Sequence, residues 1–361
     1  MAFGISVYPG LDNNTEENLS LICHAAHLGI SRLFTSLHIP EHDKAAFIDS
    51  LHAILDAAHN ERMELIADVT PESADILGIP SCTPEAFFKF GIHTLRLDDG
   101  FSVSEIAAFT RSGTDARIQL NASTISEKFL NELSENKADF SNLEALHNFY
   151  PRTGTGLSVR ALTEKTALLH RFGIRVGAFV ATRDGKKRSP LCDGLPTLEL
   201  HRNFSVNLAA RHLAALGIDD IFLSDSLPTD DELTALANVP SDCVAMRVTR
   251  TTRNDTLRPF FSLPFTARPD EARDSVRAAE SRARAKELGM PLLPENTTDR
   301  PFGAVTLDNE HYLRYAGELQ IIKRAQPADL RTNVIAHIRE DERFLISCIR
   351  PGTKFKILLD K

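Results

Sequence analysis

The feature that most constrains the fold is an alternation of strand-like and helix-like segments that repeats eight times over roughly the first 237 residues. Each short apolar run is followed by a segment whose apolar residues recur at helical spacing. The strand-like runs are Phe3–Tyr8, Ile30–Leu37, Glu64–Val69, Thr94–Leu97, Arg117–Leu120, a run from Leu143, Arg175–Val180 and Ile221–Leu223. Repeated β-α units form parallel sheets with right-handed crossovers, and eight of them predict a closed (β/α)8 TIM barrel.

An open, doubly wound sheet is the alternative arrangement of such units. Its glycine fingerprint, however, is missing after the first strand-like run. The helix patterns carry ordinary boundary signals, since Gly29 follows the pattern Glu16–Leu28 and Thr83 precedes Pro84 at a helix start. A long helix is predicted from about Glu199 to Leu216.

The pattern changes after Pro240, where short β-rich runs are joined by proline-containing loops. These runs are Cys243–Thr249, Gly303–Thr306, Leu319–Ile322, Val334–Ile338, Phe344–Ile349 and Phe355–Leu359. One charged helix pattern covers about Pro269–Leu288. We therefore predict an α/β protein of two domains, a TIM barrel at residues 1–238 and a smaller, mostly β domain at residues 239–361.

The composition is typical of a folded globular protein. With 42% hydrophobic and 25% charged residues, a chain of 361 residues can bury a sizeable core. A net charge of -8 without a basic run argues against nucleic acid as the main ligand. No apolar run reaches the roughly 18 residues that a membrane helix requires, so no membrane partner is predicted.

The cysteines and the N-terminus indicate a cytoplasmic protein. Five scattered cysteines without C-x-x-C spacing suit reduced thiols and offer no zinc framework; they are Cys23, Cys82, Cys192, Cys243 and Cys348. The first ten residues, MAFGISVYPG, lack the basic and apolar regions of a signal peptide. We expect no metal and no other cofactor, and a homodimer is left open.

Polar side chains stand at the ends of nearly all the strand-like runs, which is where TIM barrels carry their catalytic groups. They are Ser6 and Tyr8, Ser36 and His38, Asp68, Asp98 and Asp99, Asn121 and Ser123, His147 and Asn148, Arg183, and Asp225. Four aspartates at such positions favour an enzyme site. Each has a structural alternative, because Asp98-Asp99-Gly100 is also a turn sequence, Asp68 could cap a turn and Asp225 could hold a loop.

The stretch Leu143–Ser158 crowds five different polar groups around one strand end. They are Glu144, His147, Asn148, Tyr150 and Arg152. A polar turn around Pro151 is the alternative to a sugar-phosphate site at the barrel mouth. Glu144 lies inside a strand-like run, where a carboxylate requires a partner, and we predict Arg96 as that partner.

The longest predicted loop, Ala181–Arg202, concentrates cations in an acidic protein. Arg183, Lys186, Lys187 and Arg188 favour an anionic substrate, with a solvated loop as the alternative. Glu199 and Arg202 lie at the predicted start of the next helix, whose amides would also attract an anion. Gly154-Thr155-Gly156 offers a similar, weaker amide site.

Several phrases of this sequence resemble the 6-phospho-N-acetylmuramidase family. They are FGISVYP at 3–9, LFTSLHIPE at 33–41, HNFYPR with GTGLS at 147–158, KRSPLCDGLPTLELHR at 187–202 and LDNEHYLRYAGELQIIKR at 307–324. The resemblance implies a TIM barrel followed by a cyclophilin-like β domain. It also implies hydrolysis of N-acetylmuramic acid 6-phosphate–β-1,4-N-acetylglucosamine in peptidoglycan recycling. The chain departs from the family pattern at Ser189 and at Cys192-Asp193, where the family has glycine and Tyr-Glu.

Glycoside hydrolysis needs a protonated carboxyl for the leaving oxygen and a second group at the anomeric carbon, a role that the substrate's own N-acetyl group could also fill. We predict Glu144 and Asp98 as the main carboxylates, with Asp68 and Asp225 in reserve. The predicted substrate-binding residues are Ser6, His38, Asn121, His147, Asn148, Tyr150, Arg152, Arg183, Lys187, Arg188, Glu199, Arg202 and, from the second domain, Arg314. A phosphosugar isomerase or aldolase, or a non-catalytic sugar-phosphate sensor, is the alternative function.

Overall fold

A computed structural model describes residues 1–37, 44–261 and 263–359, with the side chains of 44–46 left out. The chain divides into two compact units. One comprises Met1–Leu213 and Gly217–Val239, and the other comprises Ala214–Leu216 and Pro240–Lys361. No helix in the described ranges is long and apolar enough to cross a bilayer.

The first unit is a closed parallel barrel with strands in the order β1 to β8, which confirms the predicted TIM barrel. The strands are β1 Ala2–Ser6, β2 Arg32–Ser36, β3 Glu64–Val69, β4 Thr94–Leu97, β5 Arg117–Asn121, β6 Leu143–Leu146, β7 Arg175–Val180 and β8 Asp220–Leu223. The helices are α1 Thr15–His27, α2 Lys44–Asn60, α3 Ser73–Leu77, α4 Pro84–Phe90, α5 Val103–Phe109, α6 Glu127–Glu135, α7 Val159–Arg171, α8 Val206–Ala215 and α9 Asp230–Ala237.

Local sequence explains most helix starts but not the predicted helix from Glu199. Ser158 caps α7 by accepting a hydrogen bond from the Ala161 amide at 3.1 Å, as its position before the helix pattern predicts. Glu199–His201 forms only a single 3-10 turn, and α8 begins at Val206. Leu198 forms an isolated bridge with Leu157, and residues 202–204 form a turn and a bend before α8 begins.

The barrel interior has an aromatic centre that depends on two glycines. Phe222 of β8 packs across the barrel, and a Cβ atom added to Gly4 of β1 would lie 2.1 Å from its ring. A Cβ on Gly177 of β7 would lie 2.7 Å from Leu146. Phe179 makes tilted and edge contacts with Phe34, Phe149 and Phe222, with ring centroids 5.2 to 5.7 Å apart. This apolar layer separates polar residues at the two ends of the barrel.

The second unit is built on a sheet of seven strands in the order β10-β15-β9-β14-β12-β13-β11. Its strands are β9 Val244–Arg250, β10 Pro264–Thr266, β11 Ser275–Arg277, β12 Ala304–Asp308, β13 Leu319–Ile322, β14 Thr332–Ile338 and β15 Lys354–Leu359, and its helix is α10 Ser281–Glu287. A mostly β second unit is therefore confirmed.

Two sequence predictions in this unit are wrong. The charged segment Pro269–Leu288 is not one helix, because Arg277 in β11 pairs with the neighbouring strand β13 and donates to Glu318 at 2.6 Å. Phe344–Ile349 is not a strand, since Glu340–Cys348 forms 3-10 turns. There Glu342, fully buried, accepts hydrogen bonds from the amide and guanidinium of Arg247.

Candidate functional site at the C-terminal mouth of the barrel

A carboxylate, a guanidinium and an amide are connected at the C-terminal end of β3, β4 and β6. Arg96 is buried and donates to Asp68 Oδ1 and to Asn148 Oδ1, each at 2.5 Å. The backbone of Asn148 is itself fixed, since its N–H donates to Ser123 Oγ at 3.0 Å and its C=O accepts from Thr197 Oγ1 at 2.9 Å. The three side chains are therefore held in place before any ligand arrives.

Asp68 is a carboxyl at this mouth that is largely buried but still partly exposed. Burial raises its pKa, and the nearby Asp98 raises it further, while Arg96 and Arg188 lower it. The net direction is upward, and the side chain keeps 16% of its surface exposed. A carboxyl that is both reachable and inclined to hold a proton suits a general acid.

Asp98 stands at the end of β4 in an exposed turn. Its amide donates to the Val69 carbonyl at 3.1 Å. Gly100 has φ +102° and packs so closely on Pro71 that a Cβ atom would lie 3.0 Å from that ring. The Asp98-Asp99-Gly100 segment is thus a turn, as the structural alternative has it, and the same turn presents two carboxylates at the mouth.

The loop after β7 carries a cation over the aromatic side of the mouth. The Arg188 guanidinium lies 4.4 Å from the centre of the Tyr8 ring and 5.6 Å from that of Phe149. Its Nε is buried without a hydrogen-bond partner in the described part of the chain. Lys187, the neighbouring residue, is half-buried. Arg188 and Lys187 can therefore bind an anion in a defined position.

Asp225 holds this loop rather than facing the mouth. It is completely buried and accepts hydrogen bonds from the amides of Thr182 at 2.9 Å and Arg188 at 3.1 Å. Burial raises the pKa of Asp225, against these hydrogen bonds. Asp12 adds a second anchor, because its carboxylate accepts from the Ser189 amide at 3.0 Å and from the Ser226 hydroxyl. The loop-holding alternative for Asp225 fits these contacts.

Glu144 lies at the other end of the barrel, and its predicted pairing with Arg96 is wrong. It accepts from Arg32 at 2.6 Å and from Gln119 at 2.6 Å. Asn148 follows it by four residues, which is about 13 Å at the rise of a strand. Arg32 and Glu144 line a 220 Å³ cavity with Asp220 at the N-terminal end of the barrel. We therefore withdraw Glu144 as a catalytic candidate.

His147 is a barrel-to-helix contact, contrary to its prediction as a sugar ligand. It is completely buried between Ser123, 3.2 Å from Nδ1, and Thr166 of α7, 3.3 Å from Nε2. Burial lowers its pKa to about 3, with Lys165 and Arg96 adding to the shift. Because side chains alternate along a strand, Asn148 faces inward and His147 outward.

Glu199 and Arg202 are consumed by contacts within the chain. The Glu199 carboxylate accepts from the amides of Gly154 at 2.9 Å and Gly156 at 2.8 Å, so it occupies the amide site proposed for a ligand anion. Arg202 donates to both Glu199 oxygens at 2.8 Å and to the carbonyls of Gly194 and Tyr150 at 3.0 Å. Both residues were predicted to bind substrate, and the structure instead pairs them with each other and with the loop at Gly154–Gly156.

The other predicted ligands differ in what the structure says of them. Ser6 is buried at the end of β1, Asn121 and Tyr150 are half-buried, and Arg152 and Arg183 are exposed. Arg314 is exposed in the second unit and donates to the Tyr315 hydroxyl at 2.8 Å, so its reach to the barrel stays a prediction. His38 lies outside the described residues. In the described ranges, no three His, Cys, Asp or Glu side chains group as metal ligands.

Sequence reasoning missed the roles of Arg96 and Tyr8. Arg96 faces Asp68 across the β3–β4 register, and that register was the signal that could have paired them. Tyr8 donates to the Ser224 carbonyl at 2.7 Å, and burial raises the pKa of its hydroxyl. It thereby provides a fixed ring beneath Arg188.

The chain is similar to known proteins over both units. Family models described as the N-terminal and C-terminal parts of 6-phospho-N-acetylmuramidase match residues 3–238 and 244–358. The crystal structure of an uncharacterized B. cereus protein is 29% identical, with 99% of both chains covered and a TM-score of 0.86. A conserved Enterococcus faecalis protein of unknown function is 30% identical, with 100% and 97% covered and a TM-score of 0.70. No curated protein matches the chain.

Proposed function

Because the chain belongs to the 6-phospho-N-acetylmuramidase family of glycosidases, we propose that it cleaves N-acetylmuramic acid 6-phosphate–β-1,4-N-acetylglucosamine. The products are N-acetylmuramic acid 6-phosphate and N-acetylglucosamine. Such a disaccharide is a phosphorylated fragment of peptidoglycan, so the proposed setting is recycling of cell-wall sugars in the cytoplasm.

The observation that carries this proposal is the connected Asp68, Arg96 and Asn148 at the barrel mouth. In the proposed mechanism Asp68 gives its proton to the glycosidic oxygen as the bond to the anomeric carbon breaks. Arg96, 2.5 Å from Asp68, then stabilises the carboxylate that is left. Water adds hydroxide to the anomeric carbon and returns a proton to Asp68.

The second group at the anomeric carbon is proposed to be Asp98 or the substrate's acetamido oxygen oriented by it. Asp98 is exposed and close enough to Asp68 to influence its pKa. Two carboxyl groups with different environments are the usual requirement of glycoside hydrolysis. Asn148 supplies an amide to hydrogen-bond a sugar hydroxyl.

The phosphate is assigned to Lys187 and Arg188. The Arg188 guanidinium lies 4.4 Å from the centre of the Tyr8 ring, and a guanidinium can bind a phosphate through two parallel hydrogen bonds. Lys187 adds a second positive charge from the same loop. A doubly charged phosphate paired with two cations would account for selection of the phosphorylated sugar.

The test is release of N-acetylglucosamine from the phosphorylated disaccharide and from its dephosphorylated form. We expect release from the first only, and a loss of 10²-fold or more in kcat for Asp68→Asn, measured below the melting temperature of the variant. Arg188→Gln should raise KM for the phosphorylated substrate. Equal turnover of both disaccharides, or near-normal turnover by Asp68→Asn, refutes the proposal. Binding without release indicates a sensor, and conversion without free N-acetylglucosamine indicates an isomerase or aldolase.

A further inference from the structure

A cavity of about 350 Å³ adjoins the proposed site on the side of β4 and β5. Its floor is apolar and includes Leu120 and Ile106, which are buried, and Phe129, which is half-buried. Its rim is polar and carries the carboxylates of Asp98 and Asp99. Apolar floors with a few polar groups are typical of small-molecule sites. Because Asp98 belongs to both, a ligand in this cavity would contact the proposed catalytic centre.

The two sides of the barrel mouth differ in charge. The β4 side presents Asp98 and Asp99, both exposed. The loop that carries Lys187 and Arg188 joins β7 to β8, and β8 lies four strands from β4 in either direction around the closed barrel. An anion is therefore repelled by Asp98 and Asp99 and attracted by Lys187 and Arg188.

We propose that this cavity is the leaving-group subsite and holds the uncharged N-acetylglucosamine. The inference rests on the proposed function. Both anionic groups of the disaccharide, the 6-phosphate and the lactyl carboxylate, belong to the muramic sugar, and the acidic rim would repel them. The hydroxyl and amide N–H groups of the neutral sugar donate hydrogen bonds, which the Asp99 carboxylate accepts. Phe129 covers its C–H face and acetamido methyl group.

The arrangement fixes the direction of the substrate across the mouth. The muramic sugar lies towards Lys187 and Arg188, the leaving sugar lies towards Asp99 and Phe129, and the bond between them passes Asp68. Specificity for each sugar then depends on a different side of the barrel, and the two can be altered separately.

The experiment measures inhibition by each product during hydrolysis of the phosphorylated disaccharide. For Asp99→Asn and Phe129→Ala we expect the Ki of N-acetylglucosamine to rise about 10-fold, with the Ki of N-acetylmuramic acid 6-phosphate within about twofold of wild type. Lys187→Gln should show the opposite pattern. Asp115→Asn makes the same charge change before β5, at the far end of the barrel, and is the matched control.

The outcomes separate the subsite from the reaction. Absence of N-acetylglucosamine release by the wild-type protein refutes the proposed function itself. Normal wild-type turnover combined with a raised Ki of N-acetylmuramic acid 6-phosphate in Asp99→Asn overturns only the orientation. Unchanged Ki values for both products in Asp99→Asn also overturn it. Asp99 is exposed, so this variant keeps the test decisive if Phe129→Ala does not fold.

Discussion

Replacing Arg32 should destabilise the barrel without changing its chemistry. Arg32 donates to Glu144 at 2.6 Å and to Glu64 and Asp220 at 2.9 Å, and its side chain is only 6% exposed. Arg32→Met leaves these carboxylates without the guanidinium that they share. Removing one partner of a buried ion pair costs about 3–5 kcal/mol. For a unit of this size that lowers the melting temperature by on the order of 10 °C.

The loss should depend on pH in a defined direction. Burial already raises the pKa of Glu144 in the presence of Arg32. Without Arg32 that pKa rises further, so the folded variant binds protons that the unfolded chain does not. Relative to wild type, its deficit in unfolding free energy is therefore full above the pKa of Glu144 in the variant. The deficit shrinks as the pH falls from there towards the pKa of Glu144 in the wild-type protein.

The assay is urea unfolding of both proteins between pH 5 and 8, together with turnover below the melting temperature. We expect kcat and KM of the folded variant to match wild type, because Arg32 is at the N-terminal end of the barrel. Asp68→Asn is the contrasting variant, because its turnover should be lost even in the folded protein. A variant at Arg32 with wild-type stability and greatly reduced kcat would refute the separation of the two polar clusters.

Three further predictions address packing and titration. Gly4→Ala should lower the unfolding free energy by about 1–3 kcal/mol, because the added methyl group overpacks Phe222. Adding Phe222→Leu should recover part of this stability, and an unchanged urea midpoint for Gly4→Ala would contradict the packing. His147 should make the barrel less stable as the pH falls from 6.5 towards 3, by up to about 1.4 kcal/mol per pH unit, because its pKa in the folded protein is lowered to about 3. Unfolding free energies of wild type and His147→Gln, measured against pH, isolate this effect, and equal slopes in the two proteins would exclude it. Hydrogen bonds from Arg202 and then from the Gly154 and Gly156 amides lower the pKa of Glu199 to about 2, so its contribution to the unfolding free energy should be present above pH 4.5 and lost towards pH 2. Glu199→Gln should cost about 1 kcal/mol at pH 7, and an unchanged unfolding free energy would argue against the contact.

The architecture was predictable from the sequence because it depends on local and periodic signals. An apolar run followed by apolar residues at helical spacing predicts each β-α unit, and caps such as Ser158 mark where the helices begin. The failures came where tertiary contacts override these signals. The Glu199 carboxylate binds the amides of Gly154 and Gly156 where the next helix was predicted to start. Arg277 pairs with a neighbouring strand inside a segment whose pattern predicts a helix.

The site was less predictable because side-chain direction and depth depend on register. Asn148 was assigned correctly to the mouth, where it contacts Arg96, but its neighbour His147 points the other way. The position of Glu144 inside a strand-like run predicts an unusual buried carboxylate, but it is only the second residue of β6 and so lies near the N-terminal end. Arg32 and Asp220, each the first residue of its strand, were the available hint of a second polar cluster.

The carboxylate of Glu199 acts as a permanent internal ligand for the loop that contains Gly154 and Gly156. Backbone amides in a strand-to-helix connection can bind a phosphate, but here the Glu199 carboxylate already occupies them in the folded chain. The loop that contains Gly154 and Gly156 is thus ordered before a sugar binds, so binding loses no conformational entropy by ordering it. An anion could bind to these amides only in a variant whose Glu199 side chain had been removed or displaced.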